Sequence, residues 1–237
     1  MTLFRRITAP EPTPTWGVTS AVVTLLLNLA FMTVVGGSVG VALLQARPEA
    51  LTLGWIVGAL LTLAWVYFRA GQPAEWQDFY NPFVGRVPLL IAFGTGFAAA
   101  VSLDLIGLLG GGQFVNAPQL LFLTPNSGLL AWALSALFVL LLQPVSEELL
   151  FRGMIYSTLR ARLNVWLTVA STSLLYAGFH LAVYPLHPSG WWYSVAEPLV
   201  MGVILGLIRA GDGSPRGALA AHVGAGIFAL LKVGLLG

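Results

Sequence analysis

The chain has no cysteine. That excludes disulfides, thiolate metal sites and a cysteine nucleophile. Charge is nearly as scarce: 8% of the 237 residues are Asp, Glu, Lys or Arg, against roughly 25% in a soluble domain. No basic run is longer than Arg5-Arg6, so the formal charge of +2 marks no nucleic-acid partner. No internal repeat, lipidation signal or second domain is visible. What fills the chain is apolar, with 57% hydrophobic residues. The composition is that of an all-α, polytopic integral membrane bundle.

A spanning helix takes about 20 mostly apolar residues. Candidate spans are 16–44, 51–68, 88–109, 128–145, 165–184, 192–208 and 218–236. The expectation is seven spans, within a range of six to eight. Residues 1–15 read as a polar cytoplasmic tail, extended and mobile or lying on the membrane surface, and 16–237 as one transmembrane domain. The first apolar run exceeds a secretory signal core and reads as an uncleaved span. Gly36-Gly37 is a point where it could break. Residues 75–83, with Trp76, Phe79, Tyr80 and Phe83, read as an interfacial segment, and Trp191-Trp192-Tyr193 as an aromatic belt. The glycine- and proline-rich connection 110–126 is expected to be irregular.

The cations orient the chain. With the N-terminus in the cytoplasm, the inner segments hold nine arginines: Arg5, Arg6, Arg69, Arg86, Arg152, Arg160, Arg162, Arg209 and Arg216. The outer ones hold Arg47 and Lys232. Basic residues favour the cytoplasmic side, so the N-terminus is expected inside, in the cell membrane, and the C-terminus outside.

Ionisable groups at membrane depth are costly and mark function. The sequence Ser146-Glu147-Glu148-Leu149-Leu150-Phe151-Arg152-Gly153 follows one of the most apolar runs of the chain. On a helix, Glu148 and Arg152 share a face at i, i+4 and can pair, while Glu147 points about 100° away with no local partner. Pro144 is expected to kink or interrupt the helix just before the carboxylates. Residues 154–164 should continue it toward the cytoplasm. His180 shares a face with Tyr176 in the fifth span, and His222 lies in the seventh. His187 reads as a solvated loop residue, and Asp104 as a partnerless carboxylate facing a wet cavity. Glu197 opens the sixth span, at a helix N-terminus that favours an acid.

A carboxylate and two imidazoles on three helices can activate water for attack on a carbonyl. The same groups could bind zinc. They could also relay protons in a small transporter with Asp104. Counted along the helices, His180 falls in the outer half of its span and His222 in the inner half, so the spans must be offset for the two to meet.

At these residues the sequence resembles the CAAX prenyl protease and bacteriocin-processing (CPBP, Abi-type) intramembrane proteases, over about 129–236. The motif residues are Glu147, Glu148 and Arg152, then Tyr176 with His180, then His222. Tyr176 stands where the family usually has Phe, and Gly226 where it commonly has Asn or Asp. The resemblance implies an endopeptidase acting on a membrane-associated, prenylated or leader-type peptide substrate, without a cofactor. It implies Glu147 as general base, His180 assisting, His222 as oxyanion donor, and Glu148, Arg152 and Tyr176 in support. On this reading Gly226→Asn should preserve or raise activity. The main rival is an inactive relative acting as a membrane interaction or immunity protein.

Overall fold

The structure is a computed structural model that describes residues 8, 11, 13–14, 16–44, 48–70, 86–111, 115–184, 186 and 191–236. Seven helices among them are long and apolar enough to cross a membrane: α1 (Val18–Val39), α2 (Glu49–Arg69), α3 (Leu89–Gly110), α4 (Leu129–Arg160), α5 (Val165–Val183), α6 (Trp192–Asp212) and α7 (Pro215–Leu236). The described residues contain no strand. The proposed interfacial segment 75–83 and His187 lie outside them. Among the described residues of the connection between α3 and α4, a 3-10 turn forms at Pro118–Leu120.

The outward faces are apolar, with Phe68, Leu90, Leu109 and Leu129 all largely exposed, as a lipid-facing surface requires. The interior is built on Trp55, Phe138, Phe151, Tyr176, Phe179 and Tyr184. Close helix contacts are made through glycine. A Cβ on Gly96 would collide with the Ala221 backbone, and one on Gly224 with the Phe93 carbonyl, so α3 and α7 meet backbone to backbone. Small residues allow such approach in membrane bundles. Gly36 does not break α1. It lies against Gly54 of α2, just after a π-helical turn at Phe31–Val35.

α4 runs for 32 residues to Arg160, ~48 Å at 1.5 Å per residue, so the apolar span and its expected continuation toward the cytoplasm form one helix. That length exceeds the ~30 Å hydrocarbon core, so α4 extends beyond it. One expectation is corrected here: Pro144 does not interrupt the helix. A π-helical turn at Phe138–Leu142 directly precedes it, and the wider turn accommodates a residue that can neither donate to nor tolerate the ordinary i→i−4 carbonyl. A second π-helical stretch, Leu149–Ile155, follows the glutamates.

The arginine-rich end of the bundle is fastened by polar contacts. Asn164 caps α5 by accepting from the Leu167 N–H. α6 ends at Gly213, whose φ of 81° is left-handed, and α7 opens on Pro215, which needs no N–H there. Asp212 joins this turn to the start of α3, accepting from the backbone N–H groups of Arg86 and Val87 at 2.8 and 2.9 Å. The tail reaches the same end: Glu11 pairs with Arg209 of α6 at 2.8 Å.

Candidate active site

The two glutamates sit midway along α4, between its π-helical stretches, and both are buried. Adjacent residues on a helix face different neighbours, and here the neighbours differ in kind. Glu148 Oε1 accepts from Arg152 Nη1 at 3.1 Å, the i, i+4 pair read from the sequence. The same oxygen lies 2.9 Å from His222 Nδ1 on α7. Arg152 also donates to the Gly202 carbonyl of α6 at 3.1 Å and stacks over the Tyr176 ring at 4.5 Å. One ion pair thus ties α4 to α5, α6 and α7.

Glu147 turns toward α5. Its Oε2 lies 3.2 Å from His180 Nε2, and its Oε1 accepts from the Tyr184 hydroxyl at 3.0 Å. His222 Nε2 stands 3.9 Å from Oε2, too far for a direct hydrogen bond and a distance a small molecule could bridge. The Glu147 carboxylate can only accept, so the Tyr184 hydroxyl is the donor in this contact.

The structure therefore brings Glu147, His180 and His222 to one place. The apparent mismatch in depth disappears because the helices begin at different levels. Pro215, the first residue of α7, lies near Gly153 of α4, since a Cβ on Gly153 would stand 3.8 Å from the Pro215 ring. From Gly153 back to Glu147 and from Pro215 on to His222 are nearly equal runs of helix. α4 and α5 project past α7 by the two turns between Gly153 and Arg160.

His180, His222, Tyr176 and Gln143 line a cavity of about 70 Å³, room for a few waters. Glu147 backs this wall through His180. The cavity runs toward the end of the bundle opposite the arginines, where Pro118, Tyr193, Glu197 and Lys232 complete it. Among the described residues, no group of three His, Asp or Glu side chains is disposed to hold a metal ion.

Asp104 is corrected: it has a partner. Lys232 of α7 donates to its Oδ1 at 2.6 Å and to the Val115 carbonyl at 2.6 Å. Gly226 is corrected as well. A Cβ there would stand 2.8 Å from the Val139 carbonyl oxygen in the first π-helical turn of α4, so an asparagine has no room. Sequence reasoning missed Tyr184 and Gln143. Each lies one helical turn from a residue that was identified, Tyr184 four after His180 and Gln143 four before Glu147, and that spacing was a signal available in the sequence.

Comparison with known proteins bears on the same stretch. Residues 127–228 match the family model described as type II CAAX prenyl endopeptidase Rce1-like. The comparisons with curated proteins and with solved structures gave no significant match. The part of the chain that carries both glutamates, His180 and His222 is thus similar to the CAAX prenyl endopeptidase family.

Proposed function

We propose that this protein is an intramembrane endopeptidase in which Glu147 draws a proton from water held in the cavity. The observation that carries this reading is the buried Glu147 carboxylate with one imidazole at 3.2 Å and a second at 3.9 Å. A water beside His180 loses its proton toward the carboxylate, and its oxygen attacks the peptide carbonyl. The C–O bond forms as the carbonyl electrons move to oxygen. The proton then passes to the amide nitrogen as the C–N bond breaks, leaving an acid and an amine. Tyr184 and His180, both donating to Glu147, hold the carboxylate in place. Glu148 and Arg152 support the site by fixing α4 and His222. The reading needs no cofactor; metal analysis of the purified protein tests the zinc variant.

The arginine distribution supports a cytoplasmic N-terminus. In that orientation the cavity extends toward the non-cytoplasmic side. This favours a membrane-protein or leader segment over a prenylated cytosolic tail as substrate.

The test uses the full chain in proteoliposomes with a panel of peptides: a farnesylated CAAX peptide, a leader peptide and a transmembrane segment. Mass spectrometry reads the products. The wild type should cleave at least one of them. Glu147→Gln should lose activity by about 10²–10⁴-fold, the usual worth of general-base catalysis, and keep its helical content. Full turnover in that variant would remove Glu147 from the reaction. An inactive wild type would favour the non-catalytic membrane-interaction reading.

A further inference from the structure

Gly226 leaves the site short of a hydrogen-bond donor, and the donor cannot be restored at that position. The Val139 carbonyl occupies the space a side chain would need. His222 does not fill the gap in its neutral form. The Glu148 carboxylate can only accept, so the Nδ1 facing it at 2.9 Å carries the hydrogen. Nε2, the nitrogen on the Glu147 side, is then a lone pair. It donates to an oxyanion only when the imidazole is doubly protonated.

One turn along α4 from Val139, and one turn before Glu147, stands Gln143. It is 1% exposed and lines the same cavity as His180, His222 and Gly226. Neither its amide nitrogen nor its amide oxygen has a hydrogen-bond partner among the described residues. A buried primary amide can make up to four hydrogen bonds, and leaving them unmade is costly. A side chain kept under such conditions, at the wall of a cavity, is available to whatever enters the cavity. Gly226 and the Gln143 amide stand on facing helices at the wall of one cavity.

The geometry points to Gln143 as a catalytic residue: its Nε2–H donates to the oxyanion formed on the substrate carbonyl, in place of the missing side chain at 226. This rests on the endopeptidase reading. The amide is neutral and fixed by its helix before the reaction starts, and that preorganisation is what makes such donors effective.

The test is Gln143→Met, which keeps the length of the side chain and removes both polar groups. It is assayed with whichever panel peptide the wild type cleaves, alongside a melting curve. The expected result is a fall in kcat of about 10²–10³-fold, the usual loss for one oxyanion donor. KM should change little, since the bond is made only in the transition state. The melting temperature should hold or rise, because no unpartnered buried amide remains. A merely structural glutamine would give the reverse, a lower melting temperature with kcat retained in the folded fraction. That result, or kcat within about threefold of wild type, overturns the proposal while leaving Glu147 untouched. No cleavage of any peptide by the wild type would instead remove the endopeptidase reading, and this one with it.

Discussion

The two ends of the bundle treat their polar groups differently. At the arginine end, charges are closed into pairs: Arg152 with Glu148, Arg209 with Glu11 and Arg216 with Asp212. Backbone groups are drawn in too, as Asp212 does with Arg86 and Val87. Around the cavity at the other end, Lys232 with Asp104 is a closed pair. Among the described residues, both amide atoms of Gln143, one oxygen of Glu197 and the Trp192 indole N–H there are buried without a partner. Burying a polar group unpaired works against stability. The arginine end has single unpartnered atoms too, Glu148 Oε2, Arg152 Nε and the Tyr156 hydroxyl, but each of its paired charges is closed on an opposite one, whereas the cavity wall holds a whole amide with no partner.

The sharpest way to break this contrast is at its most buried pair. Arg152→Met leaves Glu148 buried and uncompensated. Breaking a pair of this kind costs about 3–5 kcal/mol. The variant should show a large drop in melting temperature in nanodiscs, and His222 should lose its fixed partner, because Glu148 would be free to reorient. A melting temperature within a few degrees of wild type would show that the arginine end is not where the bundle is fastened.

A smaller effect is expected across the boundary between the two regions. Gly226→Asn must push α7 away from the Val139 carbonyl. Overpacking of this sort costs about 1–3 kcal/mol, and it displaces His222 four residues away. Activity should therefore fall rather than rise, and the melting temperature should fall with it. Retained stability with raised turnover would mean that the π-helical turn at Phe138–Leu142 yields easily, and that the contact with Val139 does not set the position of α7.

These two positions also mark how far the sequence could be read. The spans were legible because a bilayer imposes one length and one composition on every crossing. The Glu148–Arg152 pair was legible because i, i+4 spacing is a local property. The run of α4 past the apolar span was legible too, because the less apolar stretch after Gly153 still lacks a helix breaker. Pro144 misled in one respect: proline forbids an ordinary α-turn, but nothing local announces that a π-helical turn precedes it and lets the helix continue. The meeting of His180 with His222 depended on the offset of α7 against α4, a tertiary quantity fixed by the short turn after Asp212. The partner of Asp104 was hidden likewise, since Lys232 lies on the last helix and pairs across the bundle. Gly226 read as an omission, whereas its physical meaning is contact: the backbones of α4 and α7 touch where another side chain would stand.

The weakest member of the fastened end is the pair between the tail and α6. Glu11 is 18% exposed and Arg209 5%, so water screens the pair far more than it does Glu148 with Arg152. Arg209 also donates to the Arg152 carbonyl at 3.0 Å and to Ser157 Oγ at 3.3 Å, and its guanidinium stacks over Tyr156. It would stay in place without Glu11. Glu11→Gln should therefore cost no more than about 1 kcal/mol and leave cleavage unchanged. The difference from wild type should shrink further as salt is raised from low to physiological ionic strength. A loss approaching that of Arg152→Met would make the tail a structural part of the bundle. The division would then run between tail and cavity, with the arginine cluster only the link that joins them.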